Sequence, residues 1–312
     1  ELGRLDEAKA DIERMIAERG KGKVGTAMYQ LLWRIAFLEG DQEAMPKYAD
    51  LIEENPGEDG TFFLQLQEAF YDGRFQEGRQ ILDDFTVLIH QQERSELADR
   101  LRCEQAWVEG IVGNETLVSD YLDTPVEVES IHLDQVIGSA YTLALMGKSQ
   151  QVEKMLSTAM ELYPEATLLK HLHAPTLRAM IEHRRGDSEA AERLLRGAAR
   201  YEQAPEADKF KLIRGLIHLE LNQGEDAATA FKKIVEHPEQ IVRFYYGFGT
   251  GTSWIEIPVA QVGLARAKAM TGDTAGARKA YEDFFEMWKD ADPDIPLLKK
   301  AKAEYPRLKA GT

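Results

Sequence analysis

Cysteine is nearly absent from this 312-residue chain, with Cys103 as the single example. One thiol builds neither an internal disulfide framework nor a cysteine-based zinc cluster. By itself it reads as a small buried apolar side chain. Positive charge is scarce too: 38 Lys and Arg stand against 54 Asp and Glu, a formal net charge of −16. So acidic a surface repels phosphate backbones and anionic lipids, which argues against nucleic-acid binding as the main role. No apolar run approaches the roughly 18 residues needed to cross a bilayer, so this segment is not expected to insert into a membrane. The N-terminus carries no signal-peptide pattern and no Met. Instead ELGRLDEAKADIERMI reads as the middle of a helical unit, as in a piece of a longer protein. What remains is ample for a globular core, with 44% hydrophobic and 29% charged residues.

The chain does hold an internal period. Turns of the form apolar–x–Gly–polar recur as ELGRLDEA, LEGDQEAM, YDGRFQEG, IVGNETLV, LMGKSQQV, RRGDSEAA, NQGEDAAT and MTGDTAGA. Their glycines are Gly3, Gly40, Gly73, Gly113, Gly147, Gly186, Gly224 and Gly272, at intervals from 33 to 48 residues. Each turn predicts a helix ending on a residue that takes a left-handed conformation, which Gly does without a Cβ clash. Around Gly147 the apolar residues keep helical spacing: Val136, Ile137, Ala140, Leu143 and Ala144 before it, Val152, Leu156, Ala159 and Met160 after it. Ala140, Ala179 and Ala265, each seven before a turn glycine, let paired helices approach. Ala277 with Tyr281, and Ala191 with Leu195, match the A-x3-F feature of tetratricopeptide repeats. The expectation is an all-α protein, an α-solenoid of tetratricopeptide-like helix–turn–helix repeats forming one superhelix over 1–312. It would hold about eight helical pairs, the first truncated, with a capping segment at 290–310.

With these repeats in view, the chain resembles the tetratricopeptide region at the C-terminus of acidobacterial-type, eukaryotic-like serine/threonine protein kinases and related bacterial repeat proteins. The resemblance is carried by MYQLLWRIAFLEGDQEAM, HAPTLRAMIEHRRGDSEAAERLLRGAARYE and residues 262–308, whose ending WKDADPDIPLLKKAKAEYPRL is its specific part. It implies a non-catalytic interaction or sensing module joined to an N-terminal output domain. The kinase domain itself is absent: there is no HRD, no DFG and no strand-borne lysine. A membrane span often precedes such repeats, which would place them on the extracytoplasmic side; a cytoplasmic location is the alternative.

Motifs of chemistry fail on inspection. FYYGFGTGTSW, residues 244–254, suggests a phosphate cradle, but no Lys follows Gly247, Gly249 and Gly251, and they run G-x-G-x-G rather than G-x-G-x-x-G. The long interval from Gly224 to Gly272 marks an insertion at 240–257, with a helix resuming near Pro258. Its Phe244, Tyr245, Tyr246, Phe248 and Trp254 form either a hairpin or loop packed on the scaffold, or a recognition loop. DADPD at 290–294 departs from a calcium loop, and Asp292 or Asp294 is expected to cap the final helix instead. His171, His173 and His183 lack metal-ligand spacing, and no G-x-S-x-G elbow occurs, so no metal, no cofactor and no enzyme activity are expected.

Residues thirteen, ten and six before the turn glycines are expected to line a concave groove. These offsets select Gln30, Arg34, Arg100, His173, Lys211, Arg214, His218 and Arg266. Cations gathered there suit an acidic segment or a C-terminal carboxylate of a protein partner, unless neighbouring acids neutralise them. The reading is a non-catalytic scaffold that binds protein or peptide. The alternatives are a small-molecule sensor using the groove and insert, or a structural assembly subunit.

Overall fold

The computed structural model describes residues 5–20, 24–54, 61–91, 95–122, 132–204, 207–242 and 254–308. Among them are sixteen α-helices and no strand. The order is α1 (Leu5–Arg19), α2 (Thr26–Glu39), α3 (Ala44–Glu54), α4 (Phe62–Tyr71), α5 (Phe75–Gln91), α6 (Ser95–Val112), α7 (Glu115–Leu122) and α8 (Leu133–Leu145). Then follow α9 (Ser149–Leu162), α10 (Ala174–Arg184), α11 (Ser188–Ala198), α12 (Asp208–Glu220), α13 (Gly224–Val235), α14 (Glu256–Met270), α15 (Thr274–Met287) and α16 (Pro296–Glu304). No helix among the described residues is long and apolar enough to cross a membrane.

The helices pack as successive pairs, α2 with α3 through α14 with α15, and the first helices α6, α8, α10, α12 and α14 also pack in a row. One hydrogen-bond pattern recurs in every turn between paired helices. The N–H after the left-handed residue returns to the carbonyl five residues back, as in Asp41 to Ala36, Lys148 to Leu143 and Asp273 to Lys268, each 2.9 Å. This is the Schellman closure of a helix end, and it needs a positive φ at the penultimate position. Gly40, Gly73, Gly113, Gly147, Gly186 and Gly272 supply it, with φ between 67° and 95°. Gly224 does not, contrary to the sequence expectation: Asn222 takes the left-handed conformation (φ 59°) and Gly224 opens α13. There a Cβ would stand 2.7 Å from Thr271 Cγ2, so close packing selects that glycine.

The core is continuous along the pairs, and the small residues read from the sequence sit inside it: Ala140, Ala179 and Ala265 are fully buried. Phe231 of α13 is pressed between two glycines, Gly215 of α12 and Gly263 of α14. A Cβ at either would fall within 2.6 Å of its ring.

The later helices also reach the early ones. Trp254 stacks on Trp33 (6.1 Å between centroids) and meets Phe37 at 4.5 Å. The Trp288 indole donates to Tyr71 O at 2.8 Å. Asp292 donates its N–H to Gly73 O at 3.0 Å, and its carboxylate accepts from Gln76 N–H at 2.7 Å. Asp292 therefore satisfies the first turn of α5, 216 residues away. This corrects the expectation that Asp292 or Asp294 caps the last helix: α16 begins after Ile295, whose backbone forms the cap, and carries Pro296 in its first turn. Helix α16 stops at Glu304, before Pro306, and a 3-10 turn continues to Leu308. Helix α14 starts at Glu256, and residues 243–253 of the expected 240–257 insert lie outside the described residues.

Candidate functional site

Side chains from the start of α14, the start of α12, α6, α8 and the turn before α10 meet in the interior. Glu256, in the first turn of α14, is fully buried. Its Oε1 lies 3.5 Å from Lys209 Nζ at the start of α12. Oε2 has no hydrogen-bond partner among the described residues. The Lys209 ammonium stands 4.8 Å over the ring of Trp107, near the end of α6, a distance at which the ring quadrupole attracts a cation. Trp107 packs edge-on against Tyr141 of α8, and Tyr141 against His173. Tyr141 Oη and His173 Nδ1 are 3.3 Å apart. His173 ends a π-helical turn, Leu169–His173, that runs directly into α10. Pro175 accounts for the irregular winding, since it provides no N–H for the carbonyl one turn back.

The electrostatics of this cluster follow from its dryness. Burial pushes the Glu256 carboxyl up to about 7; Lys209 pulls the other way, Asp208 adds to the rise, and the indole N–H of Trp107 lowers it slightly. That indole faces the carboxyl beyond hydrogen-bond geometry, so both groups lack a short partner. Burial also raises the Tyr141 phenol far above its ordinary value. The arrangement can hold or release one proton at Glu256 near neutrality, and it has one ammonium to answer the charge.

A second buried carboxylate is built differently. Glu109 of α6, also fully buried, accepts from Arg79 Nε (2.7 Å) and Nη2 (3.0 Å), Gln105 Nε2 (2.8 Å) and Asn114 Nδ2 (2.6 Å). Both its oxygens are satisfied.

The residues selected from the sequence are distributed rather than gathered. Arg34 is buried on α2, where burial pushes its guanidinium down to about 10, and its Nη1 donates to Gln30 O at 3.3 Å. Lys211 is buried beside Asp208 (3.4 Å) and Gln240 (3.3 Å). Arg214 reaches Glu202, after α11, at 3.3 Å, and Lys233 of α13 binds the same carboxylate. His218 bonds Gln223, which continues to Glu192. Arg266 grips Glu304 of α16 through two bonds of 2.9 and 3.1 Å. Among those with described side chains, His173 joins the Glu256 cluster. Trp254 is buried in the aromatic junction with α2. The side chain of Arg100, and Phe244, Tyr245, Tyr246 and Phe248, lie outside the described residues.

A common register nonetheless runs through the chain. The residue six before the left-handed glycine is buried in five turns: Arg34, Gln67, Trp107, Tyr141 and Met180. The same offset that picked out Arg34 holds Trp107 and Tyr141, so those two were within reach of the sequence had aromatic as well as charged residues been followed. Glu256 and Lys209 had no such signal.

No known family model matches the chain, and no curated protein or solved structure is significantly similar to it. Its sites therefore rest on their own geometry.

Proposed function

We propose that the chain is a non-catalytic helical-repeat scaffold, a tetratricopeptide-like solenoid, that binds an acidic segment of a protein or peptide partner. The convergence of Arg214 and Lys233 on the single carboxylate of Glu202 carries this reading. Two cations on one anion leave a local positive excess in a chain whose net charge is −16. Both cations keep solvent access, with side-chain exposures of 23% and 36%, while Glu202 keeps 9%. A partner's carboxylate completes that pairing with charge-assisted hydrogen bonds. Repeated helix pairs support the reading because they hold such side chains at fixed separations along a row. Attachment to a kinase-like signalling protein belongs to the same proposal and rests on the resemblance of residues 288–308.

Fluorescence anisotropy with labelled Asp/Glu-rich peptides tests it. Saturable binding is expected, weakened about tenfold or more by the Arg214→Ala, Lys233→Ala pair, since each charged hydrogen bond contributes about 1.5–3 kcal/mol. Because this change leaves the Glu202 side chain, 9% exposed, without either cation, circular dichroism at the assay temperature checks that the variant is folded. Equal binding of Asn/Gln versions of the peptides, or undiminished binding by the double variant, sinks the proposal.

A further inference from the structure

The Glu256 cluster joins parts of the chain that are far apart in sequence. Trp107 lies on α6, whereas Lys209 and Glu256 lie on α12 and α14, and Trp254, two residues before α14 begins, contacts Trp33 and Phe37. A buried carboxyl group with one oxygen unpartnered and a single cation at 3.5 Å is poorly compensated as an anion. In water the same group is fully solvated. Separation of the α14 start from the α6 end is what returns it to water.

We propose that this junction is a proton-coupled latch: Glu256 enters it as the neutral acid, and loss of that proton favours release of the α12–α14 starts from α6. The groups facing Glu256 are Lys209 and Asp208 from α12, Trp107 from α6 and Tyr141 from α8, with His173 of α10 behind Tyr141. Lys209 is the only cation among them, and it offsets the ionised state in part. The direction follows from linkage. The latched state binds the proton more tightly than the released state, so acid closes it and rising pH loosens it. Closure is fully supported below the ordinary glutamate value, and the support is lost as pH rises to the raised value near 7. Above that both states are ionised and the effect levels off.

Hydrogen–deuterium exchange on the whole chain, corrected for intrinsic amide rates, tests the latch. Opening of peptides covering the α6 end and the α14 start should rise up to about tenfold per pH unit between about pH 5 and pH 7, then flatten. Peptides of α11 should not follow. Glu256→Gln should abolish the rise, whereas His173→Asn should keep it. A rise in Glu256→Gln matching wild type, or a flat wild-type profile, overturns the proposal. Because the glutamine variant has to fold for that comparison, the assigned Glu256 carboxyl carbon is also followed by NMR in the unmodified chain. Titration above about pH 6 is expected, and titration wholly below about pH 5 overturns the latch.

Discussion

Glu109 and Glu256 are both removed from water, yet the chain treats them in opposite ways. Glu109 accepts four short bonds from Arg79, Gln105 and Asn114, all within 30 residues of it. Glu256 has one long contact, from a lysine 47 residues away, and an oxygen that receives nothing. The first sits between neighbouring helix pairs, where a fixed local geometry brings its partners. The second sits where distant pairs meet. A buried carboxylate tied to neighbours is a structural element; one left short of partners at a distant contact stores a response to pH.

That contrast can be broken most severely at Arg79. Arg79→Ala leaves Glu109 buried without its cation, and loss of one partner of such a pair costs about 3–5 kcal/mol. Chemical denaturation at neutral pH should show that loss as a lower midpoint. The next effect has the opposite sign. Glu256→Gln removes a poorly compensated charge and should stabilise the protein at about pH 8 by roughly 1–3 kcal/mol, with little change at about pH 5. Glu109→Gln should instead destabilise at about pH 8. If the two glutamines shift the midpoint in the same direction at that pH, the contrast fails.

Asp292→Ala sharpens the comparison from the junction's other side. It removes the carboxylate that caps the first turn of α5 and should cost about 1 kcal/mol, as helix caps do. The smallest effect is expected at the exposed pair Arg193–Glu189 within α11. Arg193→Ala should leave the melting temperature unchanged, because an exposed i,i+4 pair is largely screened.

Much of the local structure was legible in the sequence. Helix ends followed from glycines with polar successors, because a left-handed residue is the general way to close a helix, and the same returning hydrogen bond appears at Gly40, Gly147 and Gly272. Gly224 misled because glycine is selected both by positive φ and by close packing, and the sequence does not distinguish them. Asp292 misled for a related reason. A carboxylate in the turn before a helix reads as a local cap, but Asp292 lies four residues before Pro296, and a helix from the other end of the chain takes it. Two cations of the expected groove have acceptors from elsewhere in the chain: Glu202, after α11, for Arg214 and Glu304 of α16 for Arg266.

By itself the sequence determined the all-helical class, the recurring turns, the tolerance for close helix contact at Ala140, Ala179 and Ala265, and the acidic balance. These depend on propensities and periodicities that act over one or two helical turns. Only the tertiary structure decided that Trp254 meets Trp33, that Asp292 caps α5 and that Glu256 lies dry beside Trp107. Those outcomes depend on contacts between residues far apart in the chain, which no single segment encodes, and burial at the resulting contact raises the proton affinity of Glu256.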